Sequence, residues 1–537
     1  MLFLCFFSSV NSKTFNCKYI IGLTQNYVDG RSLSIIGGDT ICIQAGIRFS
    51  LKLVNFHGSP TNYIVFKNTG GIVIVKNDSL PYGIAIENSS YFRFTGTGSS
   101  TDKYGIKVMG KKGGASGLGI GNLSTNFEVD HIEIANTGFA GIFSKTDPLC
   151  DLSSNRDNFT QYQSIFHDNY IHNTGGEGMY IGHSFYSGWT TTCSGQPTVL
   201  YPSVLKGVRV YNNLIDSAGW DGIQVGSATE DCKIYGNTIT NYGIASHDSQ
   251  NSGIQIGGGT TGSCYNNAII NGSGNGINVF GLGNNFIYNN VIVNAGSLNS
   301  KVGALSSING IFCDDRSTIS GLSFNFINNT IISPVSDGIR IYSNQSRNNK
   351  IYNNLILNPG SYGNYQNILQ SYIFYNSDVD VNISNNFFSQ ILLPFFRADS
   401  LNAIYKLTSK LPINFMGKDV SLFGIVYDYF NNPRPKGENP DIGAFQFNVN
   451  FIPNHNNSLI FIYPNPNKGE FRVINNGNEA IKTIALFTIN GKSLFEKHYI
   501  DSSEIIPFFL PNMINKGIYI LQIETSIRKY YLKLVVR

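Results

Sequence analysis

The sequence predicts an all-β chain, a solenoid of stacked coils followed by a small β-sandwich, and three observations carry that prediction. A short Asn-centred motif recurs along the middle of the chain. A second recurrent motif alternates apolar and polar residues after a glycine. After about residue 458 both patterns stop, and short alternating strands between turns take over. Composition agrees: of 537 residues, 42% are hydrophobic and 13% charged, with 57 glycines, so a large core can form under a surface of Gly, Asn and Ser.

The first segment, "MLFLCFFSSVNS" (Met1 to Ser12), is a short apolar run ending in small polar residues. It resembles the end of an export signal whose basic start is missing. No later stretch reaches the ~18 apolar residues of a membrane span. The net charge of +4, from 38 basic and 34 acidic residues, contains no long basic block. Nucleic-acid binding therefore has no support, whereas a partner of modest negative charge, such as a uronic-acid polysaccharide, suits the chain. The eight cysteines show no C-x-x-C spacing, which argues against a zinc site and fits a few disulfides after export.

The coils come next. "VYNNLI" (Val210 to Ile215), "IYGNTI" (Ile234 to Ile239), "IYNNVI" (Ile287 to Ile292), "INNTII" (Ile327 to Ile332) and "IYNNLI" (Ile351 to Ile356) align Asn169, Asn213, Asn237, Asn267, Asn290, Asn329, Asn354 and Asn386 in one column. Their successive separations are 44, 24, 30, 23, 39, 25 and 32 residues. A floor near 23 with variable excess is the mark of a constant coil carrying variable loops. Coils ~4.8 Å apart let each Asn amide bond the next, which satisfies a tight inward turn.

A second column precedes glycine: Glu177, Asp221, Ser252, Asn275, Asn309 and Asp337. One residue beyond each glycine stand Met179, Ile223, Ile254, Ile277, Ile311 and Ile339, all apolar and expected inside. The next residues, Tyr180, Gln224, Gln255, Asn278, Phe312 and Arg340, are expected to face out along one strip. With these motifs in hand, the chain resembles the right-handed parallel β-helix of the pectate-lyase-like superfamily. "GGDTICIQAGIRF" (Gly37 to Phe49) looks like that group's opening coil, and "DYFNNPRPKGENPDIGAFQF" (Asp428 to Phe447) like its closing segment. The resemblance places the β-helix at about residues 30–447 and implies a scaffold shared by lyases, hydrolases, epimerases and non-enzymes.

Beyond a polar linker at 448–459, residues 460–537 read as a small immunoglobulin-like β-sandwich. Tyr463-Pro464-Asn465-Pro466 with Gly469, Asn490-Gly491-Lys492 and Lys516-Gly517-Ile518-Tyr519 occur in order. Together they resemble the C-terminal sorting domain of the type IX secretion system. That resemblance implies the secretion machinery as partner, a diderm cell of the Bacteroidota type, and a secreted or surface-attached protein. The chain is otherwise expected to act as a monomer.

Function is expected where the ladder is interrupted. Glu177 in "GGEGMYIGHS" (Gly175 to Ser184) occupies a turn slot, but His183 is not required by the repeat. The insertions Lys145 to Gln163 and His183 to Lys206 leave neighbouring coils at the same place, so they are expected to wall a cleft. Cys150 and Cys193, one in each, are expected to form a disulfide worth roughly 3–4 kcal/mol, and Cys264 and Cys313 to be buried thiols. In the cleft, Tyr180, Trp189, Trp220, Gln224, Gln255 and Arg340 are candidate sugar-binding residues, through stacking on rings and bonding to hydroxyls.

The leading reading is a uronic-acid polysaccharide lyase-like protein. Lys145 or His183 would take the proton, and Glu177 and Asp221 would hold a Ca²⁺ that bridges the uronate. His247-Asp248 is a further candidate pair. A non-catalytic glycan-binding or adhesin protein is the alternative. A polygalacturonase-like hydrolase built on Asp314, Asp315 and Arg340 is the second, although that family's Asn-Thr-Asp and Gly-His-Gly segments are missing.

Overall fold

A computed structural model describes residues 16–446, with interruptions at 111–112, 248, 300–306, 316, 343, 393–395, 399–404 and 408–412. In the tail it describes 460–463, 467, 469–475, 480–488, 492–499, 505–510, 514–526 and 529–536. The candidate signal at 1–12, the linker and Asp248 lie outside the described residues. The chain divides into two units, Met1–Phe447 and Asn448–Arg537.

The first unit is a right-handed parallel β-helix, three strands to a coil through its middle. One 12-stranded parallel sheet runs from Tyr27–Asp29 to Ile373–Tyr375, and a 23-stranded sheet supplies the other two strands of each coil. Parallel pairing begins earlier than the sequence suggested. Tyr19–Ile21 already pairs with Ile41–Ile43, and Cys17 is bonded to Cys42, so a coil precedes the "GGDTICIQAGIRF" stretch. The three residues of that first strand are too few to show a repeat.

The double-Asn motif now has a physical meaning for each of its members. The first Asn takes a left-handed conformation that turns the chain at a corner: Asn212, Asn266, Asn289, Asn328, Asn353 and Asn385 have φ of 52–56°. Gly236 fills the same slot with φ 65°, which glycine adopts without strain. The second Asn points inward. The amide Nδ2 of Asn213 donates to Asn237 Oδ1, Asn237 to Asn267, Asn267 to Asn290, Asn290 to Asn329 and Asn329 to Asn354, each at 3.0 Å. Asn169 and Asn386 close the two ends of this eight-residue ladder.

The residues before glycine form a parallel column. The N–H of each following glycine donates to the column carbonyl one coil on, as Gly222 does to Ser252 and Gly276 to Asn309. Glycine is required there by close approach: a Cβ at Gly222 would lie 2.6 Å from Ile239 Cγ2, and one at Gly276 2.5 Å from Ile292 Cγ2. Met179, Ile223, Ile254, Ile277, Ile311 and Ile339 beyond them are fully buried. Cys264 and Cys313 are buried free thiols.

In the second unit a three-stranded antiparallel sheet (Ile460–Tyr463, Glu470–Asn475, Ile505–Phe509) and a four-stranded one (Ile481–Thr488, Ser493–His498, Gly517–Thr525, Lys529–Val536) share one core. That core contains Phe471, Val473, Ile484, Leu486, Leu521, Ile523 and Leu534.

Candidate functional site

The site forms where the two insertions meet. Cys150 and Cys193 are bonded, with Cα atoms 5.6 Å apart. The Arg156 guanidinium lies 4.1 Å from the Tyr186 ring and 5.3 Å from that of Tyr201, and it donates to the Tyr186 carbonyl. Trp189–Cys193 and Gln196–Leu200 form a hairpin in the second insertion. Thr160–Tyr162 and Val204–Lys206, from the ends of the two insertions, pair in parallel.

At the foot of this wall, Lys145 Nζ is ion-paired to Asp147 Oδ1 at 2.7 Å. It also sits 5.2 Å from the Phe143 ring centroid and 5.6 Å from that of Tyr180. Burial alone would raise the Asp147 carboxyl, but the His183 and Lys145 contacts outweigh it and hold it down to about 2. Asp147 is the residue that sequence reasoning missed. Its signal was in "KTDP", an acid two places from the candidate lysine.

His183 is not the outward, unpacked side chain the sequence suggested; it is 2% exposed. The Phe185 N–H donates to its Nδ1 at 3.1 Å, which puts the ring proton on Nε2. Nε2 faces Asp147 Oδ1 at 3.4 Å without hydrogen-bond geometry. In this tautomer Nε2 carries the proton and the Nδ1 lone pair is taken up by the Phe185 N–H, so His183 as placed offers no free lone pair to a substrate proton.

The outward strip is one continuous file across adjacent coils: Phe143, Tyr180, Gln224, Gln255, Asn278, Phe312, Arg340 and Phe374. Its middle is closed, however, correcting the expectation of an open groove. Tyr180 and Gln255 are 8% exposed, Asn278 5% and Gln224 1%. Ser184, at the start of the second insertion, caps Tyr180 and Gln224: its Oγ is 2.6 Å from the Tyr180 hydroxyl and accepts from Gln224 Nε2 at 2.9 Å. Gln255 Nε2 donates to Gln224 Oε1 at 2.9 Å.

Of the two tryptophans, Trp189 packs against His183 and Phe185 within the wall. Trp220 meets the Phe139 ring edge-on at 5.5 Å and carries His247 at 4.2 Å. Arg340 lies six coils from Lys145 and is not part of this cluster.

Glu177 and Asp221 are fully buried in the turn column. Asp221 Oδ1 accepts from Ser252 N and Oγ at 2.7 and 2.6 Å, while Asp221 Oδ2 and both Glu177 oxygens have no hydrogen-bond partner. Desolvation, with Asp221 pressing on it, raises the Glu177 carboxyl to about 8; desolvation raises Asp221 to about 7, against its Ser252 bonds. Calcium takes about six to eight oxygens, and this pair offers three unpartnered ones at a place no uronate reaches, so the two do not fit the bridging role. Asp315 is also structural: it is buried, and its Oδ2 accepts the N–H groups of Gln345 and Ser346 at 2.7 and 2.9 Å.

Elsewhere among the described residues, Glu128, Asp130 and His167 bring possible metal-ligand atoms within 4.8 Å of one another. Arg93 Nε already lies 3.0 Å from Glu128 and 2.7 Å from Asp130, so that cluster carries its own counter-charge.

Fold and tail together define an exported β-helix protein. Residues 202–390 match the family described as "Right handed beta helix region", and residues 461–537 match "Secretion system C-terminal sorting domain". The tail is a type IX sorting domain, and the protein is secreted or attached to the cell surface. No helix among the described residues is long and apolar enough to cross a membrane. Among curated proteins, none matches the chain.

Three solved structures similar to it span several activities. A GH136 lacto-N-biosidase from Eubacterium ramulus is 10% identical, with TM-score 0.34 and coverage of 70% of this chain and 68% of that one. The mannuronan C-5 epimerase A-module from Azotobacter vinelandii is 14% identical, with TM-score 0.30 and coverage of 66% and 90%. A rhamnogalacturonan lyase is 12% identical, with TM-score 0.33 and coverage of 69% and 85%. At these scores the likenesses carry no argument about activity. Removing residues 460–537 is expected to leave the protein in the periplasm of a host with this secretion system. Cell fractionation with surface labelling checks it, and unchanged surface delivery contradicts the export role.

Proposed function

We propose that the protein engages an acidic polysaccharide at the Lys145 cluster and is lyase-like in its chemistry. The observation that carries this reading is the Lys145 ammonium, held by Asp147 at 2.7 Å over the faces of Phe143 and Tyr180 beside the disulfide-tied wall. A cation at an aromatic face suits a uronate, because the carboxylate meets the charge and the sugar face meets the ring.

In the lyase form, the proton alpha to the uronate carboxyl is removed, a C=C bond forms and the linking oxygen leaves. Lys145 takes the alpha proton only after parting from Asp147 and giving up its own proton to water, and the leaving oxygen takes its proton from water. That pairing favours the second reading, a glycan-binding protein without turnover.

One panel separates the readings. Uronic-acid glycans are assayed for unsaturated ends at 235 nm, for reducing ends and for binding by calorimetry. Absorbing products identify a lyase, binding without product identifies an adhesin, and the absence of both refutes the proposal. Lys145→Ala is expected to weaken binding or turnover at least tenfold, about 1.4 kcal/mol, with a small change in melting temperature. Full activity in this variant places the site elsewhere.

A further inference from the structure

The same outward file that begins at Phe143 ends in a second cluster of similar chemistry. The Arg340 guanidinium lies 4.3 Å from the Phe374 ring centroid and 5.0 Å from that of Tyr342. Phe312 meets Tyr342 edge-on at 5.7 Å, Phe280 meets Phe312 at 6.0 Å, and Tyr365 lies 5.7 Å from Phe374. All five rings are half-buried, so this platform is open where the middle of the file is not. Arg340 is held in place by the buried Asp337 carboxylate, at 3.4 Å, and by Ser307, and its buried Nε has no hydrogen-bond partner.

Between the two clusters the file carries no charge. Gln224, Gln255 and Asn278 are buried amides whose hydrogen bonds go to one another, to Ser184 and to Asn275. From Phe143 to Arg340 is six coil steps, ~29 Å along the solenoid at ~4.8 Å per step.

We infer that Arg340, with Tyr342 and Phe374, forms a second anion-binding post, and that one acidic polysaccharide chain bridges it to the Lys145 post across the uncharged middle. The inference rests on the proposed function of the first post and adds a length requirement to it. A chain that spans both posts makes its second contact intramolecularly, so affinity rises with length without any new kind of contact.

The experiment is calorimetry with a uronic-acid disaccharide and with a uronic-acid polymer fraction longer than ~29 Å. The wild-type chain is expected to bind two disaccharides but one polymer, the polymer at least about tenfold more tightly. Arg340→Gln is expected to bind one disaccharide with unchanged affinity for the first post and to lose the polymer's advantage. Arg340→Lys, which keeps a cation beside Asp337, is expected to reduce that advantage without abolishing it, and it serves if the glutamine variant does not fold. Equal affinity for short and long ligands in the wild type, or an advantage unchanged in the variants, overturns the second post. If neither ligand binds the wild type, the reading of the first post fails and the bridge with it.

Discussion

Asn267→Ala is expected to destabilise the β-helix by roughly 3–5 kcal/mol, enough to abolish folding at ordinary temperatures if the rest of the chain is marginal. The Asn267 side chain takes part in five hydrogen bonds in the fully buried ladder, one of them from its Nδ2 to Cys264 Sγ at 3.4 Å. Its Oδ1 accepts from Asn237 N at 3.1 Å and from Asn237 Nδ2 at 3.0 Å. Its Nδ2 donates to Ile234 O and to Asn290 Oδ1, each at 3.0 Å. Alanine removes the acceptor of the buried Asn237 backbone N–H and of one Asn237 Nδ2 proton, the other remaining on the Val210 carbonyl, and each orphaned donor costs about 1–3 kcal/mol. The control is Asn386→Ala. That residue ends the ladder half-buried, where water can replace part of what is lost, so the effect there should be less than half as large. Urea unfolding of both variants measures the difference. A loss below about 1 kcal/mol at Asn267 would mean that the ladder is incidental.

Glu177→Gln should stabilise the protein at alkaline pH. Glu177 and Asp221 both have folded-state values above their unfolded ones, about 8 and about 7, so the native state holds protons that the unfolded state has released. The stability that this pair contributes is therefore fully present below about pH 4, falls as pH rises, and levels off above about pH 8 once both carboxyls have ionised. The amide cannot ionise. The expected outcome is a variant more stable than wild type by a few kcal/mol at pH 9 and nearly equal to it at pH 4. Melting curves at the two pH values decide the matter. A wild-type melting temperature that does not fall across this range would show the pair to be compensated.

Much of the scaffold was legible because repetition turns weak local signals into a column. The Asn column was readable as a stacked ladder because identical amides recurred at one slot, and stacking is the arrangement that satisfies them all. The inward isoleucines were readable from period-two alternation, and the disulfide from two insertions leaving the same place on neighbouring coils. The left-handed corner filled by the first Asn of each pair went unread, since nothing in a single motif separates a turning residue from an inward one.

The site was legible only as a location. Alternation assigns Gln224 and Gln255 to the outer face of the coil, and they do lie on it, but whether an outer face meets water depends on what else folds across it. Here Ser184 comes down from the second insertion and caps Tyr180 and Gln224, a contact set by the path of an irregular loop with no period to read. His183 was rightly set apart from the ladder and wrongly left in solvent, because its burial and its tautomer come from Phe185 and the wall. Asp147 acquired its role by meeting Lys145 and His183 in space. The sequence by itself determined the repeat, the inner and outer faces and the sorting tail, all of which rest on local pattern. The tertiary structure alone decided which outer residues are open and which acids are buried without partners, because burial belongs to the packing of segments distant in the chain.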